Sequence, residues 1–148
     1  MEGAIFGCPA GWAGRLPPET RRLTSAEELE ERTWTLLALT ASGCGRLGER
    51  PVRCGTLLVP GDCPPAELAR VRAEAVISCG LSPRDSLTLS SLESPVLCVQ
   101  RALPRPDGGI VEPQEFPLPD LPEPAENLLL LLGLRLLQMP LTTALRLW

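Results

Sequence analysis

An α/β domain is the fold class this sequence predicts: a small mixed sheet of parallel strands plus an antiparallel hairpin, flanked by helices, in the manner of a Rossmann-like fragment. Three observations carry the prediction. Two short apolar runs, 54–59 and 75–79, enclose a segment with helix-start signals, which is the pattern of a βαβ unit. Alternating and apolar stretches then flank Pro106-Asp107-Gly108-Gly109, a turn sequence that supplies the positive-φ positions of a hairpin. Finally, every position from 128 to 137 except Gly133 and Arg135 is leucine. Apolar side chains on all sides of a helix require that it be buried.

Taken in chain order, residues 1–22 carry Gly, Pro and Arg without a period and read as an irregular N-terminal arm. The remainder, 23–148, reads as one domain. Thr24-Ser25-Ala26-Glu27 has the form of a capping box, Leu29, Thr33, Leu36, Leu37, Thr40 and Ala41 recur at helical spacing, and Ser42-Gly43 offers a stop, so a helix is expected over 25–41. Residues 54–59 form a buried strand ended by Pro60-Gly61-Asp62. Asp62 can cap the next segment, Pro64 and Pro65 suit a first helical turn, and a short helix is expected over 66–73. The second strand, 75–79, stops at Gly80. Residues 86–90 alternate Ser or Thr with Leu, as a strand with one wet face does. A longer apolar strand covers 95–103 and pairs across the hairpin with 110–118. Pro113 and Pro117 deprive this last strand of ladder donors and make it an edge. A linker at 119–124 leads to the C-terminal helix, 125–139.

A chain of 148 residues is long enough to bury one core. That core is aliphatic, because 29 residues are leucine and only Phe6, Trp12, Trp34, Phe116 and Trp148 are aromatic. All 14 positive side chains are arginine, and lysine, histidine and tyrosine are missing. No Schiff base, phosphate-loop lysine, histidine base or histidine metal ligand can therefore exist here. Net charge is −4 and the arginines are scattered, so the basic footprint of a nucleic-acid binder is missing. The N-terminus has neither a basic n-region nor a long apolar run, which argues for a cytoplasmic protein with reduced thiols. The leucine run is too short to span a bilayer, which takes about 20 apolar residues. No membrane association is expected.

Six cysteines, at 8, 44, 54, 63, 79 and 98, contain no Cys-x-x-Cys pair, and no metal or cofactor is expected from their spacing. Cys54, Cys63 and Cys79 fall at strand and turn ends, where an open α/β sheet can gather side chains into a crevice. Asp62 and Asp85 fall near other element ends. Asp62, Cys63, Cys79 and Asp85 are accordingly the candidate ligand-binding residues, and no catalytic residue is assigned. The serine-rich run 86–91 has no histidine to activate it and reads as the polar face of a strand.

At Gly55-Thr56-Leu57-Leu58-Val59-x-x-Asp62, followed by Ala75-Val76-Ile77-Ser78-Cys79-Gly80-Leu81, the sequence resembles the latter part of the Mur ligase central domain. The order there is similar: a strand ending near an aspartate, a short helix, and a strand ending in glycine before a β-hairpin. The likeness continues through 87–89, 96–99 and the hairpin to Leu118, about half the chain. The Gly-Lys-Thr phosphate loop, the lysine and the metal-binding histidine of that family have no counterpart. The resemblance thus implies the α/β fold and not the ligase reaction. The function expected from the sequence is that of a small non-catalytic binding or scaffolding protein, with a protein partner or a second copy meeting the C-terminal helix. The alternative is a ligand-binding protein or enzyme using carboxylates and cysteines near 60–63 and 79–85.

Overall fold

The computed structural model describes residues 3–147. Among the described residues, ten strands build a mixed α/β architecture: β1 (Gly3–Phe6), β2 (Arg21–Leu23), β3 (Trp34–Leu39), β4 (Val52–Pro60), β5 (Val71–Cys79), β6 (Leu87–Leu89), β7 (Val96–Val99), β8 (Leu103–Pro104), β9 (Ile110–Val111) and β10 (Gln114–Pro117). Eight of them form one sheet in the order β10-β7-β6-β5-β4-β3-β1-β2, while β8 and β9 pair separately. Every pairing from β2 across to β6 is parallel. The β6-β7 and β7-β10 pairings are antiparallel.

Parallel strands are buried on both faces, and each face of this sheet has its own core. One face presents Ile5, Leu36, Leu58, Ile77 and Leu87 to helix α2 (Leu129–Gln138), with Trp12, Leu103, Val111 and Leu145 closing the edges. The other presents Phe6, Trp34, Leu37, Leu57 and Val59. It is covered by the crossover connections: a 3₁₀ turn at Ala26–Glu30, the short helix α1 (Ala41–Gly45), and a 3₁₀ turn at Pro65–Leu68. Leu29, Cys44 and Leu47 bury themselves against that face.

The parallel β4-β5 pair, the antiparallel β7-β10 pair and the leucine-rich helix match expectation. β10 also lies at the sheet edge, where Pro117 costs no ladder bond. The expected hairpin is present but bends. Gly108 has φ +90, Arg105 N–H donates to Gly109 O at 2.9 Å, and β8 and β9 pair beside the turn before β10 returns to β7.

Four expectations are corrected. Residues 3–6 are a fully buried strand inside the sheet, and 21–23 are its parallel neighbour, so the N-terminal segment is no irregular arm. The expected helix over 25–41 dissolves into a 3₁₀ turn and β3. Its capping box is real but shifted by one residue, with Ser25 N–H donating to Glu28 Oε1 at 3.1 Å. Six residues from Trp34 to Leu39 then enter the sheet and bury both faces, which removes the alternation that would have marked a strand. The short helix expected over 66–73 is a 3₁₀ turn at Pro65–Leu68, after which β5 begins four residues before 75. The C-terminal helix, lastly, has no face left for a second copy. Leu128 to Leu132, Leu134, Leu136 and Leu137 are all buried within one chain.

Arg135 explains how a charge fits in that helix. Its guanidinium donates to the carbonyls of Ala144 (2.6 Å), Arg15 (2.6 Å), Arg146 (2.8 Å) and Thr143 (3.3 Å). This fork clasps α3 (Leu141–Ala144) and the 3₁₀ turn at Ala10–Arg15 over the helix. No helix among the described residues is long and apolar enough to cross a membrane.

Candidate functional site

The C-terminal ends of β3, β4 and β5 open on a cavity of about 750 Å³, roofed by Ala125–Asn127 and the first turn of α2. The strands end there for local reasons. Pro60 has no N–H to carry the ladder further toward β3, while Gly61 N–H donates to Cys79 O at 2.8 Å as the last rung with β5. Gly80 N–H donates to Leu87 O at 3.0 Å, which starts the return toward β6.

Between them lies the loop that holds Asp85. Asp85 N–H donates to Ser82 O at 3.0 Å, while Ser82 N–H donates to Asp85 Oδ2 at 3.1 Å. Gln100 Nε2 clamps the same loop from β7's end, donating to Asp85 O at 2.6 Å and Pro83 O at 3.0 Å. The carboxylate rests directly on Gly61 and Gly80, and a Cβ on either glycine would overlap its oxygens. Both positions require glycine for this close approach. Asp85 is only 5% exposed, and among the described residues its carboxylate accepts one hydrogen bond although it has about four acceptor positions.

Three of the four residues expected from the sequence line this cavity: Asp62 at its exposed rim, Cys79 in its floor and Asp85 in its wall. Cys63 does not. It turns to the opposite face of the sheet and packs on the second core. The sequence reading missed Trp12, Thr40, Leu129 and Leu130, which also line the cavity. A signal for the place existed in Gly61 and Gly80, each directly following an apolar strand.

Burial, and next the charge of Asp85, push the Cys79 thiol far above its ordinary range, so it stays protonated and serves as apolar lining. Trp12, Leu129 and Leu130 form an apolar wall, and Asp62, Asp85 and Glu126 outnumber Arg84 among the charged groups. Thr40 closes the side toward β1: its Oγ1 donates to Gly7 O at 2.8 Å and accepts from Gly43 N–H at 3.0 Å. Comparison with family models, with curated proteins and with solved structures returns no match to this chain.

Proposed function

We propose that this protein is a non-catalytic, cytoplasmic small-molecule-binding protein. Its ligand is an amphiphile with a hydrogen-bond-donating or cationic head, which meets Asp85, and an apolar body, which meets Trp12, Leu129 and Leu130. The observation that carries this reading is a buried carboxylate with spare acceptor positions in the wall of a cavity of about 750 Å³, within the usual size of small-molecule sites. The net negative lining supports a donor head over an acidic one. The six cysteines, none in a disulfide, suit a reducing compartment. The likeness to the Mur ligase central domain fits a crevice at strand ends and extends no further, since the lysine and histidine of that chemistry are missing.

Ligand-observed NMR with a fragment set containing matched amines, amides and carboxylates tests the reading. Amine-bearing amphiphiles are expected to bind best and to perturb Trp12. They should lose roughly tenfold or more in affinity on Asp85→Asn, since a hydrogen bond to a charged group is worth about 1.5 to 3 kcal/mol. Carboxylates binding as well as amines, or an Asp85→Asn variant that folds and binds undiminished, would refute it.

A further inference from the structure

On the face of the sheet away from the cavity, the crossovers that follow β3 and β4 lie side by side, because those strands are parallel neighbours. Cys44 stands in α1, anchored by its N–H to Thr40 O at 2.8 Å. Cys63 follows β4, with its N–H on Pro60 O at 3.1 Å, and Glu67 is four residues on, in the 3₁₀ turn. The two sulfur atoms and a Glu67 carboxylate oxygen all lie within 4.8 Å of one another, and Cys63 Sγ donates to Glu67 Oε2 at 3.7 Å.

We propose that Cys44, Cys63 and Glu67 form a binding site for a borderline-soft divalent cation of the zinc type. With Zn–S near 2.3 Å and Zn–O near 2.1 Å, tetrahedral coordination places S and O about 3.6 Å apart and two sulfurs about 3.8 Å apart. The Cys63-Glu67 separation already meets the first value. Two sulfurs and one carboxylate favour such an ion over magnesium or calcium, which take oxygen ligands. Binding replaces the two S–H protons, which leave to solvent. Three protein ligands leave one tetrahedral position open for water or an exogenous donor, the arrangement of exchangeable rather than closed sites. Cys-x-x-Cys spacing is unnecessary here, because Cys44 and Cys63 are brought together by strand adjacency. The ion would tie two crossovers together that otherwise meet through side-chain packing.

Metal-free protein, reduced with a phosphine and titrated with Zn²⁺ against a chromogenic chelator, and with Co²⁺ by absorption, tests the site. One equivalent per chain is expected, with thiolate-to-cobalt charge transfer and tetrahedral visible bands. The melting temperature should rise with zinc concentration. Cys63→Ser is expected to lower zinc affinity roughly 100-fold or more, beyond the ~10- to 100-fold cost of losing an outer partner. Glu67→Gln should lower it too, while the Cys8→Ser/Cys98→Ser double variant should not. Circular dichroism on the same samples reports folding. Should buried Cys44→Ser fail to fold, the half-buried Cys63 and Glu67 still decide the matter. Zinc held equally well by folded Cys63→Ser and wild-type protein, or a cobalt signal lost only in the Cys8/Cys98 variant, would overturn the proposal.

Discussion

Stability should fall steeply on the alkaline side, and buried thiols should be the cause. The sequence has no lysine, histidine or tyrosine, so between about pH 6 and pH 11 only cysteines and the terminal amine titrate. Cys54 is buried, and desolvation raises its pKa from 9.0 to about 11; Cys79 is raised further still, by burial first and Asp85 second. Both thiols keep their protons in the fold and lose them in the unfolded chain. Unfolding therefore releases protons above pH 9, and stability declines as pH rises until the native thiols themselves ionise, near pH 11 for Cys54. One pH unit above the unfolded pKa, each thiol has cost about 1.4 kcal/mol, so the pair accounts for about 3 kcal/mol at pH 10. That is a sizeable part of a typical domain's 5 to 15 kcal/mol, as an order of magnitude. Urea titrations of metal-free protein at half-unit intervals from pH 7 to about pH 10.5 would measure it. A Cys54→Ala/Cys79→Ala variant begins less stable but should show a flatter alkaline limb, the remaining slope coming chiefly from Cys44, whose thiol burial also raises. An unchanged slope in that variant, or no decline in the wild type by pH 10, would show that these thiols are not protonated and buried as described.

Three further outcomes are expected from the packing. Gly108→Val should cost about 1 to 2 kcal/mol in denaturant titration, because a Cβ there meets nothing and the whole penalty comes from φ +90. Leu128→Glu/Leu132→Glu should unfold the chain rather than dissociate an oligomer, since both leucines are buried within one chain. Light scattering with circular dichroism would separate the two results. Arg135→Met should cost about 3 kcal/mol: it strands four carbonyls, while removing a guanidinium whose desolvation was itself expensive. Hydrogen exchange should rise first around 141–147.

What the sequence made legible were elements whose local signals agreed with their tertiary setting. Strand 75–79, the Asp107-Gly108-Gly109 turn, the proline-marked edge and the leucine helix are of this kind. Trp34–Leu39 is the opposite case. A strand buried on both faces has no period of two, and leucines at 36, 37 and 39 after a capping box fit a helix as well. Gly3–Phe6 is only four residues long, and its place in the sheet depends on pairing with β2 and β3, which no local pattern encodes. The candidate site divides in the same way. Asp62, Cys79 and Asp85 are legible because strand ends are readable, whereas Trp12 and Leu129 are distant in sequence and meet only across the sheet and its covering helix. Cys63 escapes such a reading because one residue of further turn carries its side chain to the other face.

The position of the cavity is set by the order in which strands are laid down. The chain adds β2 on one side of β1 and then returns to add β3 on the other. In open α/β sheets, the gap beyond the carboxyl ends at such a reversal is the usual place for a ligand. Here the Thr40 hydroxyl bridges β1 and β3, and a cavity of about 340 Å³ lined by Gly7, Arg22, Ser42 and Arg46 remains beside it. Gly7, at φ +83, and Gly43 let the two chains approach so closely that a Cβ on either would overlap Thr40 Oγ1 or Phe6 O, respectively, and the Thr40 hydroxyl bonds both sides together. The larger open space lies one strand position or more away, toward β4 and β5. There Gly61 and Gly80 admit a side-chain carboxylate where Gly43 admits backbone. The difference bears on what can be bound: the larger cavity offers an acidic acceptor beside an apolar wall, while Arg22 and Arg46 line the smaller one. A ligand that entered between β1 and β3 themselves would have to break the Thr40 hydrogen bonds, whereas one seated on Asp85 breaks none of them.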